Sequence, residues 1–427
     1  MGLLLPLVLL TAAPAFQGSA PPADVEDRQL RGTSKALDSY LEARSDRSST
    51  TKSRDRLRVT VDELESGLGV ETLLARPDLL GRIWRLATPL EKTRAKRGKL
   101  TLSTATVAGF DEPGLRFAVQ LPKRYRPRDG SYPLIILVPS VRVMPDAAIT
   151  RFFEQHGELS KEDAAYRDGA IVFCPELPSD GNAWASVTHE GKPGGIRSVL
   201  AALRVAEQRF AVDADRVHLV GLGEGAALAL AVGNHRADRF AGIVADVGER
   251  DLLDGRPGAA NFRTLPTYFT SPSTAALEFV GAVTREGYDN GWTSNSWTAG
   301  GPWQWMRAHP RDPAPAGVTV KPGISFPTRV HWIKIDSNSR DTEARASIDR
   351  AAGKITIEAR GASSVTLLLN DSLVDLDRAL EVVLNGEKKR LSAHRDWTVT
   401  LDMMADATSD PGRVYVTELT VPVPPAK

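Results

Sequence analysis

Residues 212–230, VDADRVHLVGLGEGAALAL, decide the fold. The run VHLV at 217–220 reads as a strand buried on both faces. It enters the turn Gly221-Leu222-Gly223-Glu224-Gly225 and leaves as an alanine-rich helical stretch over 225–233. Working outward, further buried-strand candidates stand at 134–138 (LIILV), 170–173 (AIVF), 242–245 (GIVA) and 267–270 (TYFT), with another helical stretch at 195–210. An alternating strand at 115–121 (LRFAVQL) precedes them and is broken by Pro122 and Pro127. Strands alternating with helices imply the α/β class, a mostly parallel sheet covered by helices on both faces.

The flanks differ from this centre. Residues 2–16 are apolar and leucine-rich and pass into Gly18-Ser19-Ala20, with Ala13-Pro14-Ala15 as an earlier small-x-small site, which reads as a secretory signal peptide over 1–20. No Lys or Arg precedes the apolar run, and it is shorter than the roughly 20 residues that span a bilayer. The expectation is a secreted or periplasmic protein with no membrane association after cleavage. Residues 21–100 are expected to form a helical N-terminal segment. Its apolar stripes are Ala36, Leu37, Tyr40 and Leu41; Leu57, Val61, Leu64 and Leu68; and Leu79, Leu80, Ile83 and Trp84. The α/β domain then runs over 101–315, a Pro- and Gly-rich linker over 316–327, and a small all-β domain of the sandwich kind over 328–427. Its strands are expected at 330–335, 354–359, 365–369, 380–384, 397–401 and 414–421, with Asn385-Gly386 as a two-residue hairpin turn.

Composition narrows the partners. The chain has 427 residues, 54 Lys plus Arg against 53 Asp plus Glu, and a formal charge of +1. Near-neutrality argues against a general nucleic-acid binder, which needs a basic surface. The single cysteine, Cys174, excludes an intrachain disulfide framework and a thiolate-rich metal cluster. The basic run TRAKRGK at 93–99 reads as solvated surface. His189-Glu190 are adjacent rather than at the i, i+3 or i, i+4 spacing zinc favours, so no metal and no cofactor is expected.

The turn at 221–225 carries the chemistry. Strand, sharp turn and helix are the context of the nucleophile elbow G-x-S-x-G, which lifts a serine above the sheet. Here Gly223 holds the serine position, and glycine has no hydroxyl. With this motif in view, the sequence resembles the α/β-hydrolase superfamily, in particular exported esterases and peptidases of the prolyl-oligopeptidase, feruloyl-esterase and polyhydroxyalkanoate-depolymerase type. The resemblance covers about residues 100 to 315. It rests on Val119-Gln120-Leu121-Pro122 with Tyr125, Tyr132-Pro133-Leu134, Gly169-Ala170-Ile171-Val172 leading to Pro175, the stretch from Val212 to the elbow, and Phe240-Ala241-Gly242.

The resemblance implies a serine nucleophile, a histidine base, an acid and an oxyanion loop, and this chain departs from all four. The oxyanion-loop position reads Pro139-Ser140, and proline has no N–H to donate. Ser271-Pro272-Ser273-Thr274 stands where the acid would follow its strand, and residues 292–305 contain no histidine. His309 and Asp246 are the weak remaining candidates for base and acid, and His309, followed by Pro310-Arg311-Asp312-Pro313, is similar to a His-Arg-x-Pro segment that closes the hydrolase domain in the resembling family. The leading expectation is a degenerate hydrolase that keeps a cleft for a small-molecule, glycan or protein ligand, with Trp292, Trp297 and Trp303 as stacking candidates beside Trp305. Two alternatives stay open: an active ester hydrolase using Glu224 as base or Ser140 as nucleophile, and a carbohydrate- or protein-binding role for the β domain, where Asn370, Asp371, Asp375 and Asp377 are calcium-ligand or turn residues.

Overall fold

The structure is a computed structural model and describes residues 27–45, 50–63, 70–112, 114–128, 130–140, 142–154, 159–247, 259–293, 301–322, 328–336, 341–406, 410 and 413–424. The expected signal peptide lies outside the described residues, and no described helix is long and apolar enough to cross a membrane.

The periodicity ahead of residue 100 becomes four helices: α1 (Asp27–Ser45), α2 (Thr51–Glu63), α3 (Val70–Leu74) and α4 (Pro77–Ala87). Leu37 and Tyr40 on α1, Leu57 and Val61 on α2, and Leu79, Leu80, Ile83 and Trp84 on α4 are buried. Three- and four-residue spacing puts each set on one helix face, and the stripes join the main core. Leu64 and Leu68 lie outside the described residues. Pro77 opens α4, where its missing N–H leaves no helical hydrogen bond unmade.

The next elements are β1 (Leu100–Ala105), β2 (Leu115–Gln120), β3 (Tyr132–Val138), α5 (Pro145–Glu154), α6 (Lys161–Gly169) and β4 (Ile171–Pro175). A short hairpin, β5 (Thr188–His189) and β6 (Lys192–Pro193), leads to α7 (Gly195–Arg209). Then come β7 (Val212–Leu222), α8 (Gly225–His235), β8 (Gly242–Asp246), β9 (Thr267–Phe269), α9 (Thr274–Arg285), β10 (Gly291–Thr293) and α10 (Gly301–Ala308). Eight strands form one sheet in the order β1-β2-β4-β3-β7-β8-β9-β10, in which β2 alone is antiparallel to its neighbours.

Side chains alternate between the two sheet faces, so the continuous apolar runs supply both. Leu134, Ile136, Leu219 and Ile243 share one core with α7, α8 and α9. Ile135, Leu137, Val220 and Val244 share the other with Phe152 of α5, Tyr166 of α6, and Trp303 and Met306 of α10. Register brings the carboxyl ends of the central strands together: Val138 is opposite Gly221, Leu222 opposite Asp246, and Ala245 opposite Phe269.

The C-terminal part holds two further sheets. Its elements are β11 (Gly317–Val320), β12 (Arg329–Val330), β13 (Ile333–Asp336), β14 (Glu343–Asp349), β15 (Lys354–Arg360), β16 (Ser364–Leu369), β17 (Leu380–Leu384), β18 (Glu387–Leu391), α11 (Trp397–Asp406) and β19 (Thr417–Pro422). Five strands run in the order β11-β14-β15-β17-β18 and four in the order β12-β13-β16-β19. Asn385 and Gly386 take positive φ of 50° and 84° and join β17 to β18 as expected.

Several expectations are corrected here. The segment 316–327 is not only a linker, because β11 within it is an edge strand of the five-stranded sheet. Residues 330–335 are two strands, since His331 at φ 48° begins a tight turn that pairs Val330 with Ile333. Residues 397–401 are helical: the Asp396 carboxylate accepts from the Thr398 N–H at 2.6 Å, and buried Leu401 and Met404 repeat at helical spacing. The alternating Thr and Val residues suggested a strand there, and tertiary burial overrode them. Strands β14 and β18 went unseen because EARASID and EKKRL contain few large apolar residues; β18 is a charged sheet edge.

Buried ions join the α/β part to the C-terminal part. Arg311 donates from Nη2 to Asp215 of β7 at 2.7 Å and from Nη1 and Nη2 to Asp410 at 2.8 Å each. Its Nη1 also reaches the Asp238 carbonyl oxygen at 2.7 Å.

Candidate functional site

The elbow backbone is intact. Gly221 is needed because a Cβ there would lie 2.5 Å from the Ala226 Cα, and Gly225 because a Cβ would collide with the Val138 carbonyl oxygen. Between them Gly223 has φ +56°, the left-handed conformation that a nucleophile at this turn must hold under strain. Its N–H donates to the Asp246 carbonyl oxygen at 2.8 Å, which ties the turn to the end of β8. The turn then opens the eleven-residue helix α8, whose N-terminal N–H groups face the same end of the sheet.

What the sequence did not reveal is how the bare position is filled. Ser140, just past β3, donates its hydroxyl to the Leu222 carbonyl oxygen at 3.0 Å. A Cβ built on Gly223 would overlap the Ser140 Oγ, with the Ser140 Cβ next at 3.8 Å among the described residues beyond its chain neighbours. The hydroxyl of one strand end thus stands over the glycine of the next.

The other expected residues fall into two groups. Glu224 and Asp246, both half-buried, adjoin the elbow. Asp246 accepts from the Thr270 hydroxyl at 2.9 Å, so Thr270 and Ser271 follow β9 where the resembling family has its acid. Pro139 is buried and leads into a turn in which the Ser140 carbonyl oxygen accepts from the Val143 N–H at 3.2 Å.

His309, by contrast, sits beside the middle of β7 rather than at the elbow. Its carbonyl oxygen accepts from His218 Nε2 at 3.1 Å, and His218 is five residues before Gly223, about 16 Å along an extended strand. Burial pulls the pKa of His218 down to about 3, so it is a neutral imidazole inside the sheet. The His309 ring stacks on Trp305 with centroids 4.7 Å apart, and its Nδ1 bonds the Trp305 carbonyl oxygen at 2.7 Å.

Other described histidines are engaged elsewhere. His189 is 3.5 Å from Asp180 beside the β5–β6 hairpin, and His331 bonds the Thr264 hydroxyl at 3.2 Å where the C-terminal part meets the α/β part. His235 ends α8, ten residues from the elbow, and His394 belongs to the C-terminal part.

The tryptophan expectation is corrected at Trp303. Trp303 is completely buried against Phe152, with ring centroids 5.2 Å apart, and has no face to offer a ligand. Trp292 is half-buried and packs on His309 and Trp305 at 5.0 and 5.8 Å, forming a cluster that closes α10 onto the sheet. Trp297 lies outside the described residues. In the C-terminal part, Asp371 and Asp377 are ion-paired with Arg395 at 2.5 and 2.7 Å, and Asn370 and Asp375 accept backbone N–H bonds two residues on, as turn formers do.

A mostly parallel sheet with helices on both faces and a strand–elbow–helix unit at its centre is sufficient for assignment. The chain has an α/β-hydrolase fold. Solved structures similar to it are esterases and related hydrolases. A thermostable esterase aligns over 50% of this chain and 63% of its own, at 14% identity and a TM-score of 0.36. A ferulic acid esterase aligns over 51% and 96%, at 14% identity and 0.37. An S-formylglutathione hydrolase from Agrobacterium tumefaciens aligns over 51% and 98%, at 14% identity and 0.37. No protein-family model matches the chain, and no curated protein matches it in sequence. The α/β-hydrolase assignment is read from the chain's own strand order and elbow, not from these likenesses.

Proposed function

We propose that this is an exported protein of α/β-hydrolase fold that no longer turns over esters at its elbow and uses the scaffold to bind a ligand or partner. The observation that carries the reading is Gly223, an elbow residue in the left-handed geometry with no side chain to attack a carbonyl. Three further features support it. The Ser140 hydroxyl donates to a carbonyl oxygen, which cannot take up a proton as a base does. His309 stacks on Trp305 beside the middle of β7, and its Nδ1 bonds the Trp305 carbonyl oxygen. Hydroxyls, rather than a carboxylate, follow β9. In enzymes of this mechanism, loss of the serine or histidine alone lowers turnover by about 10⁶.

The test is labelling of the full chain with a fluorophosphonate probe, together with hydrolysis of p-nitrophenyl and feruloyl esters. The expected result is no labelling and rates at buffer background. Stoichiometric labelling would overturn the reading and direct attention to Ser140.

A further inference from the structure

The domain seam contains a cavity of about 530 Å³ between α7, the turn after α8, and strands β12, β13, β16 and β19. Six cationic side chains line it against two carboxylates. Glu207 is taken by Arg239, whose Nη2 donates to its two oxygens at 2.6 and 2.8 Å, and Glu418 is exposed. Among the described residues, Arg204 and Lys334 have no carboxylate partner, while Arg236 and Arg329, with Arg413, share the field of the buried Asp238 carboxylate without hydrogen-bonding it.

Two of the guanidinium groups are under-satisfied. Arg329 lies over the Tyr415 ring at 5.4 Å, and its Nη2 is buried with no acceptor. Arg413 has a side chain only 10% exposed, and its Nε is 3.2 Å from the Asp238 carboxylate without hydrogen-bond alignment. Burial, with Arg239 and Arg329 nearby, pulls its pKa down to about 10 despite Asp238. Buried guanidinium groups without acceptors are costly, and their planar forks match the oxygens of phosphate and carboxylate groups.

We infer that this interdomain cavity binds a small, multiply charged oxyanion, a phosphate or polycarboxylate group held by the guanidinium groups of Arg329, Arg236 and Arg413. The near-neutral charge of the whole chain and the cavity's size fit a compact anion rather than a nucleic-acid strand. Because both domains line the cavity, its occupant stabilises their joint and raises the thermal midpoint by mass action. The site is independent of the elbow and of the proposed loss of turnover.

The test is calorimetric titration of the full chain with inorganic phosphate, pyrophosphate and citrate at constant ionic strength, alongside thermal denaturation. One saturable site is expected. The exposed pair of substitutions Arg204→Glu and Lys334→Glu should weaken binding at least tenfold and leave the chloride-only melting curve close to that of the parent; Arg329→Gln should weaken it as well. Pyrophosphate binding more tightly than citrate identifies a phosphate-bearing ligand, and the reverse order a carboxylate-bearing one. Absence of saturable heat from all three anions up to about 10 mM, or binding indifferent to both sets of substitutions, overturns the inference.

Discussion

Substituting Gly223→Ser tests whether the elbow is a vacated catalytic position. A side chain at φ +56° costs about 1–2 kcal/mol in backbone strain. The new Cβ also overlaps the Ser140 Oγ, so Ser140 must rotate and give up its bond to the Leu222 carbonyl oxygen, a further loss of about 1 kcal/mol. The variant should therefore be destabilised by roughly 2–3 kcal/mol in urea denaturation. Ser140→Ala alone should cost about 1 kcal/mol. The double variant should cost no more than Gly223→Ser, because the shared bond is lost only once and the two Cβ atoms sit 3.8 Å apart without conflict. Strict additivity in this cycle would refute the shared space. Esterase assays on the same proteins should remain at background, since a serine without its base gains little. A rate about 10³-fold above the Gly223→Ala control would show that a histidine does reach the elbow, and the reasoning about His309 would fail.

Arg311→Leu should destabilise the chain by roughly 3–5 kcal/mol, since it removes both Arg311 hydrogen bonds from the Asp410 carboxylate, which like Arg311 is 1% exposed, and leaves it the more distant Arg239 at 3.4 Å; Arg116→Ala, which breaks an exposed pair with Glu176, should cost under about 1 kcal/mol in the same urea titration. Burial depresses His218 to about 3 and His331 to about 4, so the unfolded chain binds more protons than the folded one below the ordinary value of 6.5. The contribution of these two residues is complete above that pH and fades as the pH falls toward 4, by up to about 1.4 kcal/mol per pH unit for each; a flat stability between pH 6.5 and 4.5 would contradict it. Trp303→Ala should cost about 3–5 kcal/mol by emptying core volume, measured by denaturation, whereas a mild loss comparable to a surface substitution would contradict its burial.

Much of the α/β domain was legible because its signals are local. The runs LIILV and GIVA are buried on both faces, and the glycines at 221 and 225 announce close backbone approach, so strands, elbow and helix could be read in order. The C-terminal part was less legible. There the strands EARASID and EKKRL lack large apolar residues, and a Thr- and Val-rich segment folds as α11 because its burial partners lie elsewhere in the chain.

The sequence by itself determined that residue 223 has no side chain, that proline stands at 139, and that a sheet-and-helix alternation surrounds them. Only the tertiary structure decided that Ser140 covers Gly223, that His309 packs on Trp305 beside the middle of β7, and that arginines from the α/β part and the C-terminal part line one cavity. Ser140 and Leu222 are 82 positions apart, and their meeting depends on the register of β3 against β7, a long-range pairing that no periodicity or local propensity encodes.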